Sequence, residues 1–234
     1  MNSDDCSDEA FIKLLTWLSP SFPVGAYAYS HGLEFAVKED LVSDAITLQD
    51  WIEGIITYGV GHTDGIIFSE TWRAVKQVDD NLLFKTLEIA RAYQPTAELK
   101  METTAQGAAF LKAVCAAWPS DHLTRLLGKL IDDPEVIPYP VAVALVSARY
   151  HIPLNKALTA YLHAFSANLV SAGVRLIPLG QEMGLRVLAG LDDRILESSE
   201  NYSTLSLDRI GSATMLVDWT SARHETQYTR LFRS

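Results

Sequence analysis

Apolar residues recur at helical spacing along almost the whole of this 234-residue chain, and this pattern constrains the fold more than any other feature. From Leu48 to Val60, for example, they fall three or four positions apart and so share one helical face. Further segments of this kind run over about 11–18, 66–78, 82–92, 98–117, 123–131, 141–150, 155–175, 179–191 and 208–221. Pro, Gly and Asp clusters separate them. The sequence predicts an all-α fold, a single-domain bundle of about ten helices over residues 1–234.

Local signals predict some of the helix boundaries. Thr47 is a candidate N-cap, with Asp50 three residues later. The first apolar stripe comprises Phe11, Leu14, Leu15 and Leu18, and ends at Ser19-Pro20. Asp64-Gly65 lies between apolar residues and leaves a hairpin turn as an alternative there. Because helical spacing continues on both sides, we predict a helix.

Residues 157–174 form an 18-residue stretch without a formal charge, a length that also suits a membrane span. Five polar residues interrupt it, namely Thr159, His163, Ser166, Asn168 and Ser171. We therefore predict a buried central helix. Its small residues Ala160, Ala164, Ala167 and Gly173 would let another helix approach closely.

The charge balance limits the classes of partner. A net charge of −10 and a pI of about 5.0 disfavour nucleic acid and anionic membranes, both of which select clustered Lys and Arg. Two cysteines, Cys6 and Cys115, make no disulfide framework and fit a reducing compartment. Residues 1–8 are acidic, unlike a signal peptide, and are predicted to be a flexible terminus. We expect a cytoplasmic protein that binds neither nucleic acid nor membrane.

One serine raises the question of catalysis. Ala28-Tyr29-Ser30-His31-Gly32 resembles a nucleophile elbow with alanine in the first glycine position. That elbow needs a buried strand before the serine, whereas here a helix broken by prolines precedes it. A serine hydrolase that uses Ser30 therefore stays an alternative, beside the interpretation of Ser30 as a structural turn residue. A small-molecule-binding helical domain is the looser alternative.

Nucleotide and metal signals are weak. Gly59, Gly61 and Gly65 miss the dinucleotide-binding spacing by one residue, and Leu130 follows Gly128-Lys129 where a phosphate loop needs Ser or Thr. His62 with Asp64, and His224 with Glu225, could each supply two metal ligands, but such pairs are usually solvated. We predict no metal site and no directly bound cofactor.

Three segments combine rigid turns with polar and aromatic residues. They are PVGAYAYSHGLE at 23–34, SANLVSAGVRLIPLGQ at 166–181, and IGSATMLVDWTSARHETQYTRLFRS at 210–234. In the first, Pro23, Gly25 and Gly32 are expected to shape the turn, since Pro fixes φ and Gly permits positive φ. The last segment mixes arginines with aromatic residues, as interface hot spots do.

These segments, in this order, resemble the urease accessory protein F (UreF) family over nearly the whole chain. The resemblance implies an all-α cytoplasmic homodimer without enzymatic activity. Such proteins bridge accessory protein D (H in some organisms) and the GTP-hydrolysing accessory protein G, which carries nickel, while nickel enters apo-urease. Nickel would then be handled by the complex, and GTP by the G protein.

The resemblance also implies which residues bind partners. Glu34 and Asp64 match acidic positions that the family uses at its surface, and Arg175 stands where relatives often have Lys. The other candidate partner-binding residues are Gln181, Arg223, Tyr228, Arg230, Phe232 and Arg233. Met215 follows IGSAT where relatives often carry Pro. We expect residues 224–234 to be mobile in the free protein and to order against the D/H-type partner; docking of this tail on its own domain is the alternative.

Overall fold

The helix Tyr139–Arg149, called α8 below, is buried at the centre of the fold, where helices α4, α6 and α9, defined below, pack against it. In the computed structural model, which describes residues 6–130 and 137–234, every residue from Pro140 to Ala148 is buried. Those two ranges contain twelve α-helices and no strand. They are α1 Asp8–Trp17, α2 Leu33–Lys38, α3 Ala45–Tyr58, α4 Val60–Gln77, α5 Asp80–Ala92, α6 Ala97–Ala117, α7 Asp121–Leu130, α8 Tyr139–Arg149, α9 Leu154–Leu176, α10 Gln181–Gly190, α11 Asp192–Tyr202 and α12 Met215–His224. The predicted all-α class is confirmed.

The N-terminal helices differ in detail from the predicted pattern. Ser7 caps α1 by accepting a hydrogen bond from the Ala10 N–H, so the predicted flexible segment 1–8 ends within ordered structure; its residues 1–5 lie outside the described residues. The buried face of α1 is Ala10, Leu14 and Trp17. Phe11 and Leu15, which the predicted stripe placed inside, are half exposed or more.

Helix α3 begins earlier than predicted. Asp44, not Thr47, is its N-cap: the Asp44 carboxylate accepts the Thr47 N–H at 2.9 Å, and the Thr47 hydroxyl accepts the Asp44 N–H at 3.1 Å. This reciprocal pair is a capping box. Thr47 thus takes part in capping α3, but as the third residue of the helix and not as its N-cap.

The hairpin alternative at Asp64-Gly65 is wrong, because both residues lie inside α4. The helix predicted over 179–191 is followed by a second one that the sequence pattern missed, since α10 ends at Gly190 and α11 runs from Asp192 to Tyr202. The short α2 was also missed. The predicted Asp132-Asp133-Pro134 break lies outside the described residues.

Helix α9 is the long central helix that the uncharged stretch predicted. It packs on α3, α4, α8, α10 and α11. At Gly173 the side chain of Leu48 comes so close that a Cβ atom would lie 2.5 Å from it, so this small residue does permit close approach of α3. Within residues 6–130 and 137–234, no helix has both the length and the apolarity that a membrane crossing requires.

Candidate functional site

The N-terminal turn, the end of α9 and the C-terminal segment, three stretches that are distant in the sequence, meet at one place. In the turn, Gly25 and Gly32 adopt φ of +73° and +75°. Pro23 is exposed at its surface. A Cβ on Gly32 would lie 2.6 Å from the Ser221 nitrogen, so α12 crosses the turn at the glycine backbone. The turn therefore needs glycine at position 32 for both its backbone conformation and its packing.

Ser30 ties this turn to the C-terminal segment. Its side chain is fully buried, and its hydroxyl donates a hydrogen bond of 2.5 Å to the Ser234 carbonyl, which also accepts the Ser30 N–H at 2.7 Å. Helix α2 follows, and a turn rather than a strand precedes Ser30. A hydroxyl that is sealed from solvent and donates to a backbone carbonyl is not arranged as an activated nucleophile.

Glu34 lies beneath the C-terminal segment, and its predicted surface position is wrong. Only 8% of the residue is exposed. Its carboxylate accepts the backbone N–H groups of Leu231 at 2.7 Å and Phe232 at 2.9 Å. Placing Glu34 at the start of the six-residue α2 directs its carboxylate inward, toward donors that no local pattern could show.

His224 bridges two carboxylates. It is fully buried at the end of α12, and its Nε2 lies 3.1 Å from Glu34 while its Nδ1 lies 2.8 Å from Glu98. Because carboxylate oxygens only accept, both contacts are satisfied when both ring nitrogens carry a proton. The prediction of a solvated His224–Glu225 pair is wrong: His224 faces Glu34 and Glu98 instead.

Two further carboxylates on α6 hold the C-terminal segment. Glu98 accepts a hydrogen bond of 2.7 Å from Arg230. One turn later, Glu102 accepts the Ser234 hydroxyl at 2.7 Å and faces the His31 Nδ1 at 3.1 Å. Burial lowers the pKa of His31, but the charge and hydrogen bond of Glu102, helped by Asp64, outweigh it and raise the pKa overall.

Arg175 completes the junction from the last turn of α9. Its guanidinium donates to the Tyr27 carbonyl at 2.9 Å and lies 4.3 Å from the centroid of the Phe232 ring. The Arg233 N–H donates to the Ala28 carbonyl at 2.8 Å. Arg175 itself is exposed, so it can contact a partner while it covers Phe232.

Asp64 is also buried, at 7% exposure, so its predicted surface position is wrong too. It lies on α4, where Tyr161 donates a hydrogen bond of 2.8 Å to it. Burial raises the pKa of Asp64 to about 6, against the opposing effects of Tyr161 and His31. Its apolar neighbours along α4 explain the burial, because that helix is buried over most of its first three turns.

The remaining candidate residues are on the surface. Gln181 is exposed at the first position of α10, and Arg223 is exposed on α12 with its guanidinium 5.9 Å from the Phe35 ring centroid. Tyr228 is fully exposed, and Arg233 is exposed beside Phe232. We use the name junction surface for Tyr27, Arg175, Leu231 and Arg233, the exposed residues of the three segments that meet at the junction.

The C-terminal segment thus docks on its own domain, contrary to the predicted mobile tail. Phe232 and Ser234 are buried, and Glu34, Glu98 and Glu102 all accept hydrogen bonds from the segment. The prediction failed because it judged the segment by its own few apolar residues, whereas most of its contacts are polar. Glu98, Glu102 and His31 were also not identified from the sequence. The only signal for them in the sequence is that two acids, Glu98 and Glu102, lie one helical turn apart.

Metal ligation has little support in this arrangement. In the described ranges, no three His, Cys, Asp or Glu side chains are placed to hold a metal ion. The carboxylates at the junction instead accept hydrogen bonds from the protein, as Glu34 does from the backbone. The junction holds three chain segments together beneath an exposed surface.

Comparison with known proteins identifies the family. The model of the family described as UreF matches residues 42–192. The urease accessory protein UreF of Rhodopseudomonas palustris strain HaA2 is 48% identical over 222 residues, which cover 95% of this chain and 92% of that protein. Its counterpart from Bradyrhizobium sp. strain BTAi1 is 45% identical over 225 residues, covering 96% and 92%. That of Granulibacter bethesdensis is 44% identical over 227 residues, covering 97% and 95%. With both the family model and full-length relatives in agreement, this chain belongs to the UreF family.

Proposed function

We propose that this chain is a urease accessory protein that acts as a non-enzymatic scaffold during nickel insertion into apo-urease. It would bridge a D/H-type accessory protein and the nickel-carrying GTPase G, as a cytoplasmic homodimer. The observation that carries the proposal is its identity to named urease accessory proteins over nearly its whole length. GTP and nickel would be handled by the partners, and the chain itself would bind no resident cofactor.

The junction surface supports a role in protein recognition. Arg175 and Arg233 are exposed beside Tyr27, whose side chain is 71% exposed, and Leu231, which is 64% exposed. Arginine and tyrosine around apolar contacts are typical of binding hot spots. The buried network below holds these side chains in fixed positions, which lowers the ordering cost of binding.

We assign the two partners to neighbouring parts of this region. The G protein would contact Arg175 and Gln181, near the N-terminal turn and across the two-fold axis of the dimer. The D/H-type partner would contact the exposed residues Tyr228 and Arg230 of the C-terminal segment, together with Arg223 on α12. Glu34 and Asp64 would act indirectly, by holding this region in shape from below.

Reconstitution tests the function. Urease activation is measured with purified apo-urease, D/H-type protein and G protein, with and without this chain. We expect activation to require the chain. Light scattering of the chain at tens of micromolar should show a dimer, and a fully active monomer would contradict the two-fold arrangement.

A charge reversal tests the surface. Arg175→Glu should weaken G-protein association about tenfold, because charges at the rim of an interface control the rate at which two proteins associate and how they align. Arg125→Glu, an exposed arginine on α7, is the matched control and should bind as the wild type does. Equal binding by both variants at low salt would remove Arg175 from the interface.

The hydrolase alternative has its own test. Ser30→Ala should leave urease activation near the wild-type level if its packing is preserved. A hydrolytic activity that Ser30→Ala abolished, with activation unaffected, would contradict the scaffold proposal.

A further inference from the structure

A cavity of about 270 Å³ lies between the N-terminal turn and helices α4, α6, α8 and α9. Aromatic side chains form part of its wall, among them Phe22, Tyr139 and Phe165. Exposed residues of its lining, such as Tyr27 and His163, mark where it opens to solvent. A cavity needs only about 10–15 Å³ of such space to hold one water molecule, so this one has room for a small organic ligand.

The cavity exists partly because α9 carries small residues on this side. Ala164 and Ala167 both line it. The sequence pattern predicted that these alanines would let another helix approach closely, as Gly173 does. Here they leave space instead.

Five of the lining side chains are polar and more than nine-tenths buried, namely His31, Asp64, Glu102, Gln106 and Tyr161. Both carboxylate oxygens of Glu102 accept hydrogen bonds from protein groups. One oxygen accepts from Gln106 at 3.0 Å, and the other accepts from Ser234 and faces His31. Glu102 is therefore accounted for by the junction described above.

Asp64 is not accounted for in the same way. Its Oδ2 accepts the Tyr161 hydroxyl, whereas no donor from the described residues reaches its Oδ1. That oxygen is not sealed in the protein interior, so it opens onto the cavity that Asp64 lines. Tyr139 also lines the cavity, and burial raises the pKa of its hydroxyl. Asp64 and Tyr139 therefore both present polar groups in the wall of the same cavity.

The charges around Asp64 favour a cation. The groups that act on it are the Tyr161 hydroxyl, His31 in the turn and Glu102 on α6, while Tyr139 lies against Tyr161. Even with His31 protonated, two carboxylates leave this end of the cavity with an excess of negative charge. An N–H donor with a positive charge would fill the open Asp64 oxygen, and the aromatic wall would stabilise both its charge and its apolar body.

We propose that this cavity is a binding site for a small organic cation, a primary ammonium on an apolar body, with Asp64 as the anchor and Tyr139 as a second polar contact. This cavity adjoins the junction surface, because Tyr27 belongs to both. Its assignment as a binding site does not rest on the proposed function, and its test needs no partner protein.

Three ligands of similar size and different charge test the proposal by calorimetric titration at pH 7.5. They are benzylammonium, benzyl alcohol and benzoate. We expect one benzylammonium to bind per chain, at least tenfold more tightly than benzyl alcohol, and benzoate not to bind. Equal affinity for benzylammonium and benzyl alcohol, or no binding of benzylammonium, would overturn the proposal.

Two variants locate the site. Asp64→Asn should abolish the preference for benzylammonium over benzyl alcohol, whereas Asp50→Asn, an exposed acid on α3, should keep it. Ala164→Phe should fill the cavity and remove the binding of both ligands. Unchanged titrations with folded Asp64→Asn protein would place the ligand elsewhere and contradict the assignment.

The pH dependence gives a further readout. Because burial raises the pKa of Asp64 to about 6, its carboxylate becomes protonated as the pH falls through that value and loses its attraction for the cation. The affinity of the wild type for benzylammonium should therefore fall about tenfold between pH 7.5 and pH 5. The residual affinity of Asp64→Asn should change much less. Parallel pH profiles for the two proteins would contradict the role of Asp64.

Discussion

The guanidinium of Arg175 stacks over the ring of Phe232, with 4.3 Å between the guanidinium carbon and the ring centroid. This contact joins the last turn of α9 to the C-terminal segment, 57 residues further along the chain. The same guanidinium donates to the Tyr27 carbonyl in the N-terminal turn. One exposed arginine therefore connects all three segments of the junction, and a change at the surface acts on the packing below it.

The docked C-terminal segment predicts a stability effect. Deleting residues 225–234 should lower the melting temperature by about 5–10 °C, because burial of Phe232 alone contributes about 2–3 kcal/mol and each kcal/mol corresponds to about 2–4 °C in a chain of this size. Thermal denaturation followed by circular dichroism measures the change. Tyr228→Ala, at a fully exposed residue, is the control and should melt within about 1 °C of the wild type. An unchanged melting curve for the deletion would favour the mobile tail.

Glu34 should matter for stability more than its predicted surface role implied. Glu34→Gln should destabilise the fold by about 3 kcal/mol, because the new NH₂ group would face donors that the carboxylate now accepts. The donors include the backbone N–H of Phe232 and the His224 ring. Urea denaturation measures the change, with the exposed Glu200→Gln on α11 as the control. Similar unfolding midpoints for the two variants would show that the carboxylate is dispensable.

The two glycines of the turn form a matched pair. Both have positive φ, but a Cβ at Gly25 would meet no atom within 4 Å, whereas one at Gly32 would lie 2.6 Å from the Ser221 nitrogen. Gly25→Ala should therefore cost only the strain of a left-handed alanine, about 1 kcal/mol. Gly32→Ala should cost more than twice as much, because α12 must shift. Chemical denaturation of both variants measures the difference. An equal loss of stability in the two variants would show that α12 can shift away from position 32 without an energetic penalty.

Asp64 predicts an unusual pH dependence of stability. Its pKa is about 6 in the folded protein and about 3.9 in the unfolded chain, so the folded state binds the proton more tightly. The ionised carboxylate therefore penalises folding above pH 6, and the penalty disappears as the pH falls below about 4. The raised pKa of His31 acts in the same direction, since the stability it adds is lost as the pH rises through its folded value.

Asp64→Asn should remove this penalty. We expect the variant to be more stable than the wild type by about 1–2 kcal/mol at pH 7.5, and the advantage to vanish near pH 4. Urea unfolding at the two pH values measures it, with Asp50→Asn as the control. If the variant were less stable than the wild type at pH 7.5, the hydrogen bond from Tyr161 to the ionised Asp64 carboxylate would contribute more to stability than the burial of that charge costs.

The helical architecture could be predicted from the sequence because it depends on local spacing. The apolar periodicity of α3 and the uncharged run of α9 each indicated a helix at the right place. Errors arose where local signals compete, as when Thr47 was taken for the cap although Asp44 precedes it. The six-residue α2 is too short to show a period.

The candidate site was predictable only in part. The three segments that form the junction were recognised from their rigid turns and their arginine and aromatic content, and they carried the family resemblance. Their mutual contacts were not predictable, because Arg175 and Phe232 belong to different helical and irregular segments. Nor did spacing indicate that Glu34 would face the backbone of residues 231 and 232.

By itself, the sequence determined that this chain is all-helical, which residues form most of its helices, and to which family it belongs, since those properties follow from short-range periodicity and from contiguous motifs. Only the tertiary structure decided that Glu34, Asp64 and His224 are buried, that the C-terminal segment is docked, and that a cavity lies beside Ala164. The physical reason is that a charged side chain looks like a surface residue in any local sequence pattern, whether or not the folded chain buries it. Whether it is buried depends on donors and cations that other segments bring to it, and these come together only in the folded chain.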